Sequence, residues 1–323
     1  MTHPKYITAT PEAPADSDPL YREQWALHKM DAEKAWQCLD KVPSWKPVTV
    51  AIVDCGIQCD HQDLDKDMVI GHCVIPPDYD DFSDDDGHGT MLAGTIGAVA
   101  GNGRGGRGVV PKVRLMAVKF IDVRTPPMTG NAVKAIKYAV EHGAKIINAS
   151  WDVGLNNPKL QEVIEYAGSK GVLVVVAAGN DGSDIGSYLT CPASYAPLDN
   201  MISVMATDKN DGKPGFSNYG DKVDIAAPGV NIVSTVPYLC RPPTSPRSYG
   251  PAYRSYSGTS ASAAHVSGAA ALLLSINPGL KPKEIRERLI ASVTDVPDLH
   301  RYCLAGGRLN LHRAVERVVN EAR

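Results

Sequence analysis

The chain has 323 residues, 43% of them hydrophobic, and 36 acidic against 33 basic residues give a formal net charge of −3. That is enough apolar material for one large core, while the near-balanced charge and the absence of a long basic run argue against a nucleic-acid partner. No stretch reads as the roughly 20 uninterrupted apolar residues that cross a bilayer, so no membrane partner is expected either.

Residues 1–19 contain Pro and Asp without periodicity and read as an N-terminal arm on the surface; residues 20–323 read as one folded domain. Val48 to Val53 is an unbroken β-rich run, the pattern of a strand buried on both faces of a parallel sheet, and it ends at Asp54. Gly87-His88-Gly89-Thr90 leads into Met91–Ile96, a helix of small residues with His88 in its first turn. Asn131 reads as the cap of a helix with Val133, Ile136, Ala139 and Val140 on one face and Gly143 as its stop. A strand follows at Lys145–Ala149, then a helix at Leu160–Lys170 stopped by Gly171. The strand Val172–Ala178 runs into Gly179-Asn180, and further strands are expected at Met201–Ala206 and Val223–Ala226. Pro237 to Tyr256 holds five prolines and no periodicity, and reads as a surface insertion or a flap beside a cleft. Ala261–Leu274 is a buried helix with Ser260 at its amino end, and helices near Lys283–Ser292 and Leu311–Asn320 close the chain. Alternating strands and helices predict an α/β fold in three layers, a mostly parallel central sheet with helices on both faces.

Three of these boundaries carry a reactive side chain. In chain order they are Asp54, His88 and Ser260: a carboxylate to hold an imidazole, an imidazole to take a proton and a hydroxyl to attack. Crevices of open α/β sheets lie at the carboxyl ends of strands, where Asp54 falls. The helix amino end at Ser260 has free N–H groups that favour a developing oxyanion. Asn180, also at a strand end, can donate beside the Ser260 N–H. Each residue alone has an ordinary explanation as a cap, a surface histidine or a loop serine; four in this order at four element boundaries do not.

The chain resembles the subtilisin family of serine peptidases, in pattern nearest its thermitase-like branch. The resemblance is carried by Gln24-Trp25-Ala26-Leu27, Ala51-Ile52-Val53-Asp54, His61-Gln62-Asp63-Leu64, Gly87-His88-Gly89-Thr90, Gly108-Val109-Val110-Pro111, Ala177-Ala178-Gly179-Asn180, Ala226-Ala227-Pro228-Gly229 and Gly258-Thr259-Ser260. It implies a subtilisin-like catalytic domain over 20–323, a triad of Asp54, His88 and Ser260, an oxyanion donor in Asn180, and a peptide or protein as substrate. A monomer is expected.

Substrate would lie as an added strand between Ser150-Trp151-Asp152 and a second edge near Arg124–Met128, with Gly179 and Thr190 lining the specificity pocket. Asp152 stands where the family has a small residue, and with Asp181 and Asp184 it points to a basic residue before the scissile bond. Ala261, Ala264 and Met91 also depart from the family's residues without removing a reactive group. The family position of a structural calcium matches Asp63 and Asn102, and the acidic run 78–86, with Asp80 and Asp84, offers the hard oxygen ligands that Ca²⁺ takes. Calcium is therefore the expected cofactor.

Two rival readings share the site residues: a peptide ligase or macrocyclase acting through the same acyl-enzyme, and a catalytically silent peptide-binding subtilase. The ordinary spacing between Asp54 and His88 argues against the first and the intact triad against the second. Seven cysteines, an odd number at spacings that match no zinc site, and no visible signal segment lean towards a cytoplasmic setting.

Overall fold

The computed structural model describes residues 17–77, 80–122, 128–154, 156–238 and 252–321. Its strands are β1 (Thr49–Asp54), β2 (Val69–Cys73), β3 (Arg114–Lys119), β4 (Ile146–Ala149), β5 (Leu173–Ala177), β6 (Met201–Thr207), β7 (Ile225–Pro228), β8 (Ile232–Thr235), β9 (Tyr253–Tyr256), β10 (Thr294–Asp295) and β11 (Gly307–Arg308). The helices are α1 (Trp25–Lys29), α2 (Ala32–Cys38), α3 (His88–Gly97), α4 (Thr129–Glu141), α5 (Pro158–Ser169), α6 (Thr259–Ile276), α7 (Pro282–Ala291) and α8 (Leu311–Glu321).

Nine strands form one sheet in the order β10-β11-β7-β6-β5-β4-β1-β3-β2, parallel except for the β10–β11 pair. From β1 the chain goes out to β2, returns through β3, and then continues on the other side of β1 with β4. That reversal opens a crevice at the carboxyl ends of β1 and β4, where ligands of open α/β sheets bind. The central strands are buried along their whole length, as expected for runs of Val, Ile and Ala covered on both faces.

One face carries α3, α6, α7, α8 and α2, packed through Leu92, Ile96, Val266, Leu273 and Val318 against Val50, Ile52 and Val175. The other carries α4 and α5, packed through Ile136, Leu160 and Ile164 against Val53, Ile147 and Val174. Each such buried aliphatic side chain contributes about 1.5–3 kcal/mol of transfer free energy. Helix α6 buries all 18 of its residues. It is long and apolar enough to cross a membrane by composition, but it is the central helix of this core.

The expected three-layer α/β architecture is thus observed, with local corrections. Helix α4 begins at Thr129 with Met128 as its cap residue, so Asn131 lies inside the first turn; it was read as the cap because asparagine commonly ends a loop. The strand expected at 223–226 runs instead from 225 to 228, since Asp224 is turned to Ser203 and Arg286. The end of the Pro237–Tyr256 segment is strand β9, paired antiparallel with β8; residues 239–251 of it lie outside the described residues. Of the expected arm, 1–16 also lie outside them, but Asp18 already belongs to the domain, buried and bonded to Arg107 and Gly101.

Candidate active site

Asp54 is the last residue of β1 and its side chain is 1% exposed. Its Oδ1 accepts the Cys55 N–H and the His88 Nδ1–H, both at 2.9 Å. That bond selects the imidazole tautomer with Nε2 free to accept a proton. Burial pulls the His88 pKa down, but the charge and hydrogen bond of Asp54, aided by Asp86 and Asp84, override it and push it up to about 9.

His88 is held from both sides of its backbone. Asp84 turns inward and accepts from the Gly87 and Asp86 N–H groups, from the Thr90 N–H and from the Thr90 hydroxyl. The Cys55 thiol donates to Asp84 at 3.1 Å and accepts the Gly89 N–H at 3.2 Å. These acceptors satisfy N–H groups that a helix start leaves unpaired. A Cβ on Gly89 would lie 2.0 Å from the Gly56 carbonyl oxygen, so only glycine lets α3 close onto the loop after β1. Burial and the charges of Asp54 and Asp84 raise the Cys55 thiol pKa well above its usual value. It is a packing and bridging group rather than a nucleophile.

Ser260 lies in the first turn of α6. Its hydroxyl donates to the Ser150 carbonyl at 3.2 Å, and the Ser150 hydroxyl donates back to the Ser260 carbonyl at 3.2 Å. Behind this pair, Asn148 donates to the Ser150 hydroxyl at 2.9 Å and accepts from Ser267 at 2.8 Å. Asn180 reaches the same place from the end of β5. A Cβ built on Gly258 would stand 3.6 Å from the Asn180 Oδ1, 3.7 Å from its Nδ2 and 3.8 Å from the Ser260 backbone nitrogen. Two hydrogen-bond donors border the spot over Gly258, as an oxyanion site requires, beside an amide oxygen that Thr259 already occupies. Asp54 and His88 thus meet from the end of β1 and the start of α3, and Asn180 meets the turn that carries Ser260 from the end of β5 and the start of α6.

The expected substrate-binding residues divide. Gly179, at φ +105°, fits only glycine: a Cβ would meet Asn218 at 2.3 Å and Thr190 at 2.9 Å. Thr190 is buried beside it and accepts from Asn218. Asp152 is exposed, accepts the Gly154 N–H at 2.6 Å, and has its pKa raised by burial and by the nearby charge of Asp181. Asp184 is spent on its own loop, accepting the Gly186 N–H at 2.9 Å. The Trp151 side chain turns inward, away from the expected backbone edge. Its indole donates to the Val53 carbonyl at 2.7 Å and its ring packs on Phe120, because the aromatic surface is buried in the α4–α5 core. The edge expected near 124–128 falls outside the described residues except for Met128, which is exposed.

Asn218 was missed by sequence reasoning. It is fully buried. Its Oδ1 accepts the Asp181 and Ser183 N–H groups at 3.0 and 2.9 Å, and its Nδ2 donates to the Ala178 carbonyl at 3.0 Å. It fixes the loop that carries Asn180, yet an asparagine in a polar stretch gives no periodic signal.

The metal residues do not assemble as expected. Asp80 is exposed, Asp84 is consumed at the start of α3, and Asp78 lies outside the described residues. Asp63 and Asn102 do meet, at 2.8 Å, but with Asn102 donating through Nδ2. The other end of that amide, Oδ1, accepts the Arg104 N–H at 2.8 Å, which fixes its orientation. Burial pushes the Asp63 pKa up to about 7, against the hydrogen bonds from Asn102 and Gly106. With Asn102 turned to donate, Asp63 is the member of this pair whose oxygens keep lone pairs that calcium could take. Among the described residues no group of three His, Cys, Asp or Glu could hold a metal.

The chain is 36% identical over 301 residues to thermitase of Thermoactinomyces vulgaris, covering 93% of this chain and 99% of thermitase. It is 35% identical over 271 residues to subtilisin DY of Bacillus licheniformis, covering 83% and 91%. A solved protease structure from Pseudoalteromonas arctica PAMC 21717 superposes with a TM-score of 0.77 at 24% identity, covering 94% of this chain and 99% of that one, a likeness of fold. The model of the subtilase family matches residues 46–306, a span that takes in Asp54, His88, Asn180 and Ser260. This chain belongs to the subtilase family, as a subtilisin-like serine protease.

Proposed function

We propose that Ser260 is the nucleophile of an endopeptidase that cuts peptide bonds through an acyl-enzyme. When substrate enters, the Ser260 hydroxyl leaves the Ser150 carbonyl and turns to His88 Nε2. His88 takes its proton as Oγ attacks the scissile carbonyl. Asp54 keeps the imidazole in the required tautomer and stabilises its positive charge. The carbonyl oxygen, now negative, settles over Gly258 between the Ser260 N–H and the Asn180 amide. His88 then passes the proton to the leaving amine, and a water molecule, activated by the same imidazole, releases the acyl group.

The observation that carries this reading is the 2.9 Å bond from His88 Nδ1 to Asp54, with the two oxyanion donors flanking Gly258. A fluorophosphonate probe should label the protein once per chain, and Ser260→Ala should lose both the label and all peptide cleavage while keeping its fold. Cleavage by that variant would end the reading.

We also propose a preference for Arg or Lys before the scissile bond. The charge of Asp181 reaches Asp152, and Val153 beside Asp152 donates to the Cys191 carbonyl next to Thr190; a carboxylate on that side of the expected pocket pairs with a guanidinium. Six described cysteines are free thiols, which supports a reducing compartment.

A further inference from the structure

Lys119 is the last residue of β3 as Asp54 is of β1, and the two strands pair with these residues side by side. Side chains alternate along a strand, and Val50, Ile52, Leu115 and Ala117 share one core with Leu92 and Ile96 of α3, so Asp54 and Lys119 both project on the α3 face. Lys119 reaches the segment that leads into His88: its Nζ donates to the Ser83 carbonyl at 2.8 Å and lies 3.1 Å from Asp85 Oδ2. Its side chain is 6% exposed. Asp84 sits between the two residues so held. Its Oδ1 accepts the Asp86 and Gly87 N–H groups at 3.1 and 2.7 Å, and its Oδ2 accepts the Thr90 N–H at 2.8 Å. Asp86 Oδ1 in turn accepts the His88 N–H at 3.3 Å.

We propose that Lys119 is a positioning residue for His88: by fixing residues 83 and 85 it sets Asp84 and Asp86, and through them the start of α3, so that the imidazole meets Asp54. The proposal rests on the triad reading given above. Three observations favour it. Residues 81–87 form neither helix nor strand, so side chains rather than a backbone ladder decide where this segment lies. Two neighbouring strand ends hold the same short stretch, Lys119 at 83 and 85 and Asp54 at 88, which leaves it little room to slide. Finally, Asp84, Asp85 and Asp86 follow one another in sequence, and a buried ammonium on the middle one offsets a repulsion that would push the segment away from the sheet. A neutral side chain at 119 fills the space without holding Asp85.

The test uses the full chain. On a Ser260→Ala background, isotope-labelled at histidine, the downfield proton resonance of the His88 Nδ1–H reports its bond to Asp54. It should be sharp in that background and weakened or moved upfield once Lys119→Met is added, with recovery in Lys119→Arg, which restores a charged donor. On the active background, peptide p-nitroanilides with Arg or Leu before the scissile bond give kcat and KM. Lys119→Met should lose roughly tenfold or more in kcat with KM little changed, because a small displacement of a reacting group costs rate steeply. Parental kcat, a loss carried by KM, or a loss of kcat with an unchanged His88 resonance would each overturn the proposal, the last leaving Lys119 a merely structural residue. Should Lys119→Met fail to fold, Asp85→Ala decides. It removes one of the two holds from a partly exposed side chain, and it should move the resonance and lower kcat in the same direction; a variant indistinguishable from the parent overturns the proposal. The resonance needs only Asp54 and His88, so it reads the effect of Lys119 whether or not Ser260 is the nucleophile.

Discussion

Asn180 holds Thr259 twice: its Oδ1 accepts the Thr259 N–H at 2.9 Å and the Thr259 hydroxyl at 3.1 Å. The Thr259 hydroxyl in turn accepts the Gly179 N–H at 3.2 Å. The oxygen end of the Asn180 amide is therefore engaged by the residue preceding Ser260, and the nitrogen end is kept as a donor near the spot over Gly258. Asn180→Ala should lower kcat by ~10²–10³ with little change in KM, because the lost bond forms only with charge that develops in the transition state; this is the loss found when the oxyanion asparagine is removed from subtilisin itself. Thr259→Val, which deletes only the hydroxyl, should lose part of the same factor in kcat. Steady-state kinetics of the two variants checks both; a change confined to KM contradicts the role.

The His88–Asp54 pair sets opposite pH trends. His88 must be neutral to accept a proton, and Asp54 raises its pKa to about 9. The acid limb of kcat/KM should therefore lie well above the 6.5 of an ordinary imidazole, with activity rising through the mildly alkaline range. Stability moves the other way. A folded-state pKa above the unfolded one contributes stability in full below about pH 6.5, and that contribution is lost as pH climbs towards 9. Paired pH–rate and pH–melt series should show the crossing, and a limb near 6.5 would contradict it.

Asp152 makes specificity testable. Substrates with Arg or Lys before the scissile bond should be cut faster than those with Leu or Phe, and Asp152→Gly should narrow or reverse the difference. Burial and Asp181 raise the Asp152 pKa, so its charge is neutralised earlier on acidification than a free carboxylate's. The basic preference should shrink in step. A peptide-library profile of parent and variant at two pH values checks this, and a broad apolar profile unmoved by Asp152→Gly would refute it.

Asn218 predicts a combined defect. Asn218→Ala leaves the Asp181 and Ser183 N–H groups and the Ala178 carbonyl short of a partner, at a cost of about 1–3 kcal/mol. The loop carrying Gly179, Asn180 and Asp181 should loosen with it. A lower melting temperature together with a higher KM is expected; thermal melts and kinetics on one preparation measure both.

The places of Asp54, His88, Asn180 and Ser260 at element ends were legible because the pattern of each element is unmistakable: β-branched runs before Asp54 and Asn180, stretches of small residues after His88 and Ser260. Strand β9 was not, because Tyr253–Tyr256 shows no alternation of its own and follows five prolines; its pairing with β8 is a long-range fact. Trp151 was named for the backbone edge beside Ser150, a place that says nothing about where its side chain turns. Asp84 was read as a metal ligand from composition alone, and only the folded chain shows which carboxylate of the acidic run swings to the helix start. Asp63 and Asn102 were correctly brought together, but the direction of the amide between them depends on the Arg104 N–H, which no spacing encodes.

The complete burial of α6 has a consequence for proteolytic attack on this chain, by another copy of it included. Backbone in the middle of this helix reaches solvent only when the whole core opens, so its amide protons should exchange at the rate of global unfolding. A second copy of the enzyme can likewise cut there only in a chain that has already unfolded. Self-digestion must begin instead at exposed stretches such as Tyr188-Leu189, which are 70% and 54% accessible. Ser260, the proposed nucleophile, is thus anchored in the part of the fold that yields last, and a chain nicked on its surface can still carry it in place.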